Sequence, residues 1–490
     1  MSEFEKIGLQ PWLAKQCSYM ALDSPTPIQQ KCIPVILGSS ETEPTHVIGQ
    51  AATGSGKTAA FALPILQTLS SDMYGVFALV LTPSRELAYQ IVDQFVAFGA
   101  PLRPRCMLAI GGVRHEDQVD ALRNRPHIVV ATPGRLMHLF RVFPRETLPA
   151  FSHLRFLVLD EADRLSEGDI TTDVRSILQT LPPAQPFRQS LLFSATMNAE
   201  LTDFDAKGEE GEENILTQLG IKPSSLQRFS VASESAIEPF QRSVPEDSKT
   251  QISFPDTLEQ HYVFIPNMVK LPNLTAALRA GGKEQTTIVF VNSALRAEIV
   301  RLALQLLGFP VSSLDSLLTQ QQRLDHLALF KLSLSRVLVC TDIASRGLDI
   351  PDVDVVIHYD IPKEATTYVH RVGRTARAGK SGKSIAFVTE YDISLIQRIE
   401  KKIKVKLTQW KEKALREERI VKILEEVSAA KVQAKQQVTE QYQNRVETRK
   451  SQAAEKKQKR ATGIKRSRPD SQPNEQTTKK NTKLKKKKTV

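Results

Sequence analysis

Short apolar runs alternating with longer helical patterns constrain this chain most. In its first part the strand candidates are His46–Gly49, Ala78–Thr82, Met107–Ile110, Ile128–Ala131, Phe156–Asp160 and Leu191–Ser194. Each is rich in Val, Ile and Leu and ends in Gly, Pro or polar residues. A strand buried on both faces reads as such a run, and strands alternating with helices make βαβ units around a parallel sheet. The rhythm returns at His261–Ile265, Thr287–Val291, Arg336–Thr341, Val353–Tyr359 and Ser384–Val388. The chain therefore reads as two α/β domains in tandem, residues 1–204 and 253–395. Residues 205–252 read as an acidic, polar insertion and linker, with the cluster Gly208–Asn214 inside it. The acids there lack the alternating spacing of a calcium loop. Residues 396–450 read as a helical extension, with Ile396, Ile399 and Ile403 and then Ile420, Ile423, Leu424 and Val427 at helical intervals. Residues 451–490 read as a disordered basic tail.

Charge sharpens that division. The 490 residues carry 66 Lys+Arg and 54 Asp+Glu, a formal net charge of +12. Residues 450–490 hold 15 of the basic and 3 of the acidic residues, so the excess belongs to the tail. Clusters such as Lys456-Lys457-Gln458-Lys459-Arg460 and Lys485–Lys488 suit polyanion binding or nuclear import. No apolar run approaches the ~18 residues of a membrane span. The N-terminus MSEFEKIGLQ does not read as a secretory leader. Cys17, Cys32, Cys106 and Cys340 form no Cys-x-x-Cys pair, which argues against a zinc ribbon and fits a reduced compartment.

Two motifs carry phosphate chemistry. Ala51-Ala52-Thr53-Gly54-Ser55-Gly56-Lys57-Thr58 follows an apolar strand and opens an amphipathic helix. Small residues let backbone N–H groups approach phosphate oxygens, and the helix start adds positive potential. Lys57 would reach the β- and γ-phosphates, and the Thr58 hydroxyl would bind Mg²⁺. Ala51 stands where the strict phosphate-loop pattern has Gly. The acidic partner, Asp160-Glu161-Ala162-Asp163, follows the strand FLVL. Asp160 would hold Mg²⁺, partly through water, and Glu161 would orient or deprotonate the attacking water. Alone, these acids would be a solvated helix start. Paired with GSGKT, they define a nucleotide site.

With both motifs in view, the chain resembles the DEAD-box RNA helicases of superfamily 2 over about residues 4–392. The resemblance implies two RecA-like domains with parallel sheets. It also implies ATP and Mg²⁺ as cofactors and RNA as partner. Gln29, in the segment Pro25–Gln29, would read the adenine edge, and Phe4, well before that segment, would stack on the base. Pro83, Arg85, Gly112, Thr132, Pro133, Gly134 and Arg135 would hold an RNA backbone from domain 1, without reading bases. Gln320, Arg323, Thr341, Arg346 and Gly347 would do so from domain 2, and Asp349 would touch the ATP ribose. Arg374 and Arg377, spaced to share one helical turn, would be arginine fingers on the γ-phosphate. Asp163, Ser194, Thr196, His370 and Arg371 would couple hydrolysis to strand separation, with His370 and Arg371 linked to the acidic motif. Asp315 stands where many members have His, and nothing is carried over to it.

The implied activity is RNA-dependent ATP hydrolysis with local unwinding of short duplexes. The core and tail resemble the nucleolar helicases of small-subunit ribosome biogenesis. That resemblance implies nuclear and nucleolar localisation, pre-rRNA as substrate, a protein activator, and a monomer within transient assemblies. Two alternatives stay open: an ATP-gated RNA clamp or assembly scaffold, and a DNA helicase of the same superfamily.

Overall fold

The computed structural model describes residues 1–39, 44–51, 54–166, 169–182, 188–195, 214–231, 254–255, 257–342, 350–376 and 380–461, with side chains to residue 440. Residues 1–434 form one compact unit and residues 435–490 a second. Within the first lie two seven-stranded sheets, parallel throughout.

The first sheet contains β1 (His46–Ala51), β2 (Ala78–Leu81), β3 (Cys106–Ala109), β4 (Ile128–Ala131), β5 (Phe156–Asp160), β6 (Gln189–Ser194) and β7 (Leu226–Val231). Its order is β3-β4-β2-β5-β6-β1-β7. The second contains β8 (Leu258–Phe264), β9 (Thr287–Phe290), β10 (Val311–Leu314), β11 (Val337–Cys340), β12 (Val355–His358), β13 (Gly382–Val388) and β14 (Thr408–Gln409). Its order is β10-β11-β9-β12-β13-β8-β14. Numbered from the start of each sheet, the two orders are the same. The halves share one topology, so corresponding strand ends present corresponding loops.

Both faces of each sheet are covered. Leu79, Val129, Val158 and Leu191 are fully buried in the first; Val289, Leu338 and Val356 are in the second. This is why the central strands show no polar alternation. The helix Ile393–Ile403 turns Ile396, Ile399 and Ile403 inward, at the predicted spacing. In the helix Glu417–Ala461, Ile420 and Val427 are buried and Leu424 is exposed.

Three boundaries differ from the sequence reading. Residues 214–231 are not linker. Ile215, Leu216, Leu219 and Ile221 are buried in the first core, and β7 pairs along β1. Polar Gln227, Arg228 and Ser230 mask this strand, because β7 is an edge with half-buried and exposed positions. The acidic cluster 208–213 lies outside the described residues. The second domain continues past residue 395, since β14 pairs with β8 and Val427 packs in its core. The helix Glu417–Ala461 runs past residue 450 into the segment read as tail, and residues 462–490 lie outside the described residues.

Two histidines are built into the sheets as neutral rings. His46 Nδ1 accepts the Ser190 N–H at 3.0 Å. Burial, then the charge of Arg188, lowers its pKa to about 4. His358 stacks on Tyr368 with ring centroids 4.7 Å apart, and burial holds it well below the ordinary imidazole range. A depressed imidazole means that the unfolded chain binds more protons, so stability is lost as pH falls below the unfolded value of about 6.5. His46→Asn keeps an acceptor for Ser190 and removes the titration. Urea unfolding at about pH 7 and pH 5 should show the wild-type first domain losing roughly 2 kcal/mol more than this variant. Equal losses would mean that His46 protonates in place.

Candidate functional site: a phosphate loop, an acidic motif and a facing basic helix

The parallel register gathers the motifs on one edge. Asp160 pairs in register with Phe193, and Phe193 with Gly49. The phosphate loop after β1, the acids after β5 and Ser194 at the end of β6 therefore emerge side by side. This is where an open parallel sheet receives ligands.

Gly56 caps the helix Lys57–Ser71 with φ +86°, in the left-handed region that glycine tolerates. A Cβ there would strike the Gln29 amide. Gln29 is buried. Its Nε2 donates to Gly56 O at 3.1 Å, and its Oε1 accepts the Thr26 N–H at 3.0 Å. Here Gln29 supports the phosphate loop. Phe4, 1% exposed, packs in the first core and offers no open face to a base. The adenine-stacking role drawn from the resemblance is thus replaced by a core role. Lys57 Nζ donates to Ala51 O at 2.8 Å. Thr58 is half-buried in the first turn of the helix. Ala52 and Thr53 lie outside the described residues.

Asp160 and Glu161 are 3% and 2% exposed. Burial, then the charge of Glu161, pushes the Asp160 carboxyl up to about 7, against the pull of Lys57. Glu161 adopts φ +53°, a strained conformation for a residue with a side chain. Its Oε2 and the Ser55 Oγ are buried without hydrogen-bond partners among the described residues. A buried acid pair with an unpartnered oxygen, beside small residues and a lysine, fits a cation-bound phosphate chain.

Asp163 is the junction. Its N–H donates to Ser194 Oγ at 3.4 Å. Its Oδ2 lies 3.5 Å from His370 Nε2, an ion-pair distance without hydrogen-bond geometry, and both side chains are buried. His370 sits on the helix Ala365–Val372 of the second domain. The neighbouring Arg371 does not reach the acidic motif. It is fully buried and donates to Asp342 Oδ1 (2.6 Å), Asp360 O (2.7 Å) and Asn292 Oδ1 (3.0 Å), all in its own domain. The helix ends at Val372, and Arg374 lies in the turn that follows it. Arg374 is buried. Thr196, Arg346, Gly347, Asp349 and Arg377 lie outside the described residues.

Five of the seven expected RNA-facing residues of domain 1, Pro83, Arg85, Thr132, Gly134 and Arg135, line one cleft of about 490 Å³ together with Gly111 and others. Gly111 makes room for Arg85, whose Nη2 lies 2.5 Å from where a Cβ would stand. Arg135 donates from Nε to Ile110 O at 3.0 Å and from Nη2 to Val113 O, which braces the glycine loop. Gly112 is exposed, and Pro133 is buried at the start of the next helix. In domain 2, Thr341 is half-buried at the end of β11. Gln320 and Arg323 occupy the first turn of the helix Gln320–Lys331 and turn toward domain 1. Arg323 Nη1 donates to Glu86 Oε1 at 2.7 Å, and Gln320 Nε2 donates to the same oxygen at 3.3 Å. Glu86 was not predicted. It is buried beside Arg85, and only the tertiary fold brings Arg323 to it.

The fold and site define a two-lobed phosphate-loop nucleoside triphosphatase with an RNA-binding edge. Residues 26–204 match the DEAD/DEAH box helicase family, and residues 269–379 match the helicase conserved C-terminal domain. The chain is 39% identical to the ATP-dependent RNA helicase dbp8 of Schizosaccharomyces pombe, covering 88% of each chain. It is 39% identical to the RNA helicase DDX49 of Homo sapiens, over 88% of this chain and 81% of that one. Among solved structures, Saccharomyces cerevisiae Dbp5 bound to RNA and ADP BeF3 has a TM-score of 0.68 at 25% identity, covering 87% of this chain and 100% of that one. Mss116p bound to ssRNA and AMP-PNP has a TM-score of 0.69 at 25% identity, over 86% and 81%. The chain belongs to the DEAD-box family of ATP-dependent RNA helicases.

The Glu86–Arg323 pair generates a prediction. Removing one partner of a buried pair leaves the other charge stranded, at a cost of about 3–5 kcal/mol. Glu86→Ala and Arg323→Met should each weaken RNA binding in the presence of a non-hydrolysable ATP analogue. The double variant should lose less than the sum, with coupling of roughly 1–3 kcal/mol. Additive losses would show that the pair does not join the domains in the RNA-bound state.

Proposed function

We propose that this helicase hydrolyses ATP with Mg²⁺ when RNA is bound, and uses the cycle to unwind short duplexes or remodel RNA–protein assemblies. One observation carries the reading: His370 of the second half meets Asp163 in the acidic motif of the first. The nucleotide edge of one half thus senses the position of the other.

The roles follow from chemistry. The backbone from Ala51 to Thr58 cradles phosphates, and Lys57 moves from Ala51 O to the phosphate chain. Thr58 and Asp160 hold Mg²⁺, which when bound neutralises charge on the phosphates. Glu161 orients the attacking water and accepts its proton, a task suited to a buried carboxylate. Arg374, with Arg377, counters charge developing on the transferred phosphoryl group. Ser194 and Asp163 relay closure through His370. Neither half holds a complete hydrolytic set, so closure must assemble it.

The RNA edge contains arginines, a hydroxyl and backbone around glycines, which suits sugar-phosphate contact with little sequence reading. The basic tail supports RNA tethering and nuclear import. With the resemblance to nucleolar helicases, this supports nucleolar action on pre-rRNA during small-subunit assembly. The protein would act as a monomer met by a protein activator. The Glu86–Arg323 closure also favours a second reading, a clamp in which turnover is secondary.

Steady-state ATP hydrolysis with and without single-stranded RNA tests these readings. RNA should stimulate the wild type strongly, and Glu161→Gln should lower the stimulated rate by about 10²–10⁴-fold. Stimulation by DNA as strong as by RNA would favour the DNA-helicase alternative. RNA and ATP binding with no turnover above Glu161→Gln would favour the clamp.

A further inference from the structure

The domain 1 RNA cleft has two more lining residues, His115 and His138, which the family resemblance does not assign. They come from different elements. His115 opens the helix His115–Arg123 after the glycine loop, and His138 lies on the helix Pro133–Val142 after Thr132. Their rings meet edge to face with centroids 4.6 Å apart, and His138 Nε2 lies 3.0 Å from His115 Nδ1. Such a nitrogen–nitrogen contact requires one ring to donate and the other to accept. His138 is exposed and His115 half-buried, so the pair faces solvent at the cleft.

We propose that His115 and His138 form a proton-gated contact to the RNA phosphate backbone, in the cleft walled by Arg85 and Arg135. This rests on the RNA reading above and adds two residues and a pH dependence to it. In the free protein the surroundings oppose protonation of His115. Partial desolvation, then Arg135 and His138, lower the His115 pKa, and Glu116 opposes them. Arg85 completes the positive wall, while Arg114 pairs with Glu116 at 3.8 Å. The Asp173 carboxylate lies against Gly134. A phosphate entering between the arginines reverses the balance. It neutralises them, and it stabilises an imidazolium within reach. RNA binding is thereby linked to proton uptake by the pair. The contact between the rings disfavours a second proton, so the gain is about one charge.

Anisotropy titration of the full chain with a short fluorescent oligouridylate and a non-hydrolysable ATP analogue tests this, at about pH 8 and about pH 6 near 0.1 M salt. Lys and Arg of the tail hold their charge across that range. The wild type should bind roughly 3–10-fold tighter at the lower pH. His115→Gln/His138→Gln should match the wild type near pH 8 and lose most of the tightening. His138→Lys, with a fixed charge, should bind tightly at both values. At the lower pH the slope of log affinity against log salt should be about one unit steeper for wild type than for the Gln pair. The same pH response in wild type and Gln pair would overturn the proposal, as would equal weakening of the Gln pair at both values. Absence of RNA binding by the wild type at both values would sink the RNA reading itself, and this contact with it.

Discussion

Asp160 and Glu161 are buried together at the end of a central strand, with one lysine nearby and one carboxylate oxygen unpartnered. Two anions in a low-dielectric site repel, and burial penalises both. Asp160 responds with a carboxyl pushed above the ordinary carboxylate range. Magnesium and a phosphate chain would relieve that strain by supplying charge and ligands the protein withholds. The strained backbone of Glu161 belongs to the same arrangement. The first domain sacrifices local stability to keep a cation-hungry edge, and the surrounding apolar sheet holds it there.

The second sheet repeats the first strand for strand, but its ligand edge is filled differently. Where the first edge carries acids and a glycine loop, the second carries Arg371, which is satisfied inside its own domain. The two scaffolds are alike, and the chemistry proposed above is divided between them. On the function proposed above, that division would make hydrolysis depend on closure, because the groups acting on the phosphates sit on separate halves. The Glu86–Arg323 and Asp163–His370 contacts lie where those bodies meet.

The sequence exposed the buried strands well, because β2, β4 and β5 have no solvent face to dilute their apolar pattern. It concealed β7, β10 and β14. Val311-Ser312-Ser313-Leu314 holds two serines inside the fold, and Thr408-Gln409 is too short to signal. Motif order located the phosphate loop and acids, whose chemistry is local. It could not locate Glu86 as the Arg323 partner, since 237 residues separate them. Nor could spacing show that Phe4 is a core ring, or that Arg371 serves its own domain. A motif names a residue's neighbourhood in sequence, while its partner is chosen by the strand order.

Arg371 shows why that matters for mechanism. The residues it binds, Asn292, Asp342 and Asp360, follow β9, β11 and β12, and β9 lies between the other two. One guanidinium therefore ties three strand ends together, with its plane over the Phe290 ring at 5.1 Å. Asp360 is also held by Arg296 at 2.6 Å and Lys270 at 3.7 Å, so the anchor is itself braced. An arginine committed this fully cannot swing toward ATP. What it can do is fix the end of its helix, so that His370 before it and Arg374 after it stand at set positions. A charge on the nucleotide edge then meets a rigid platform rather than flexible side chains. Movement of either group requires the second domain to move as a body, which is what the proposed coupling of a chemical step on one sheet to RNA held on both would need.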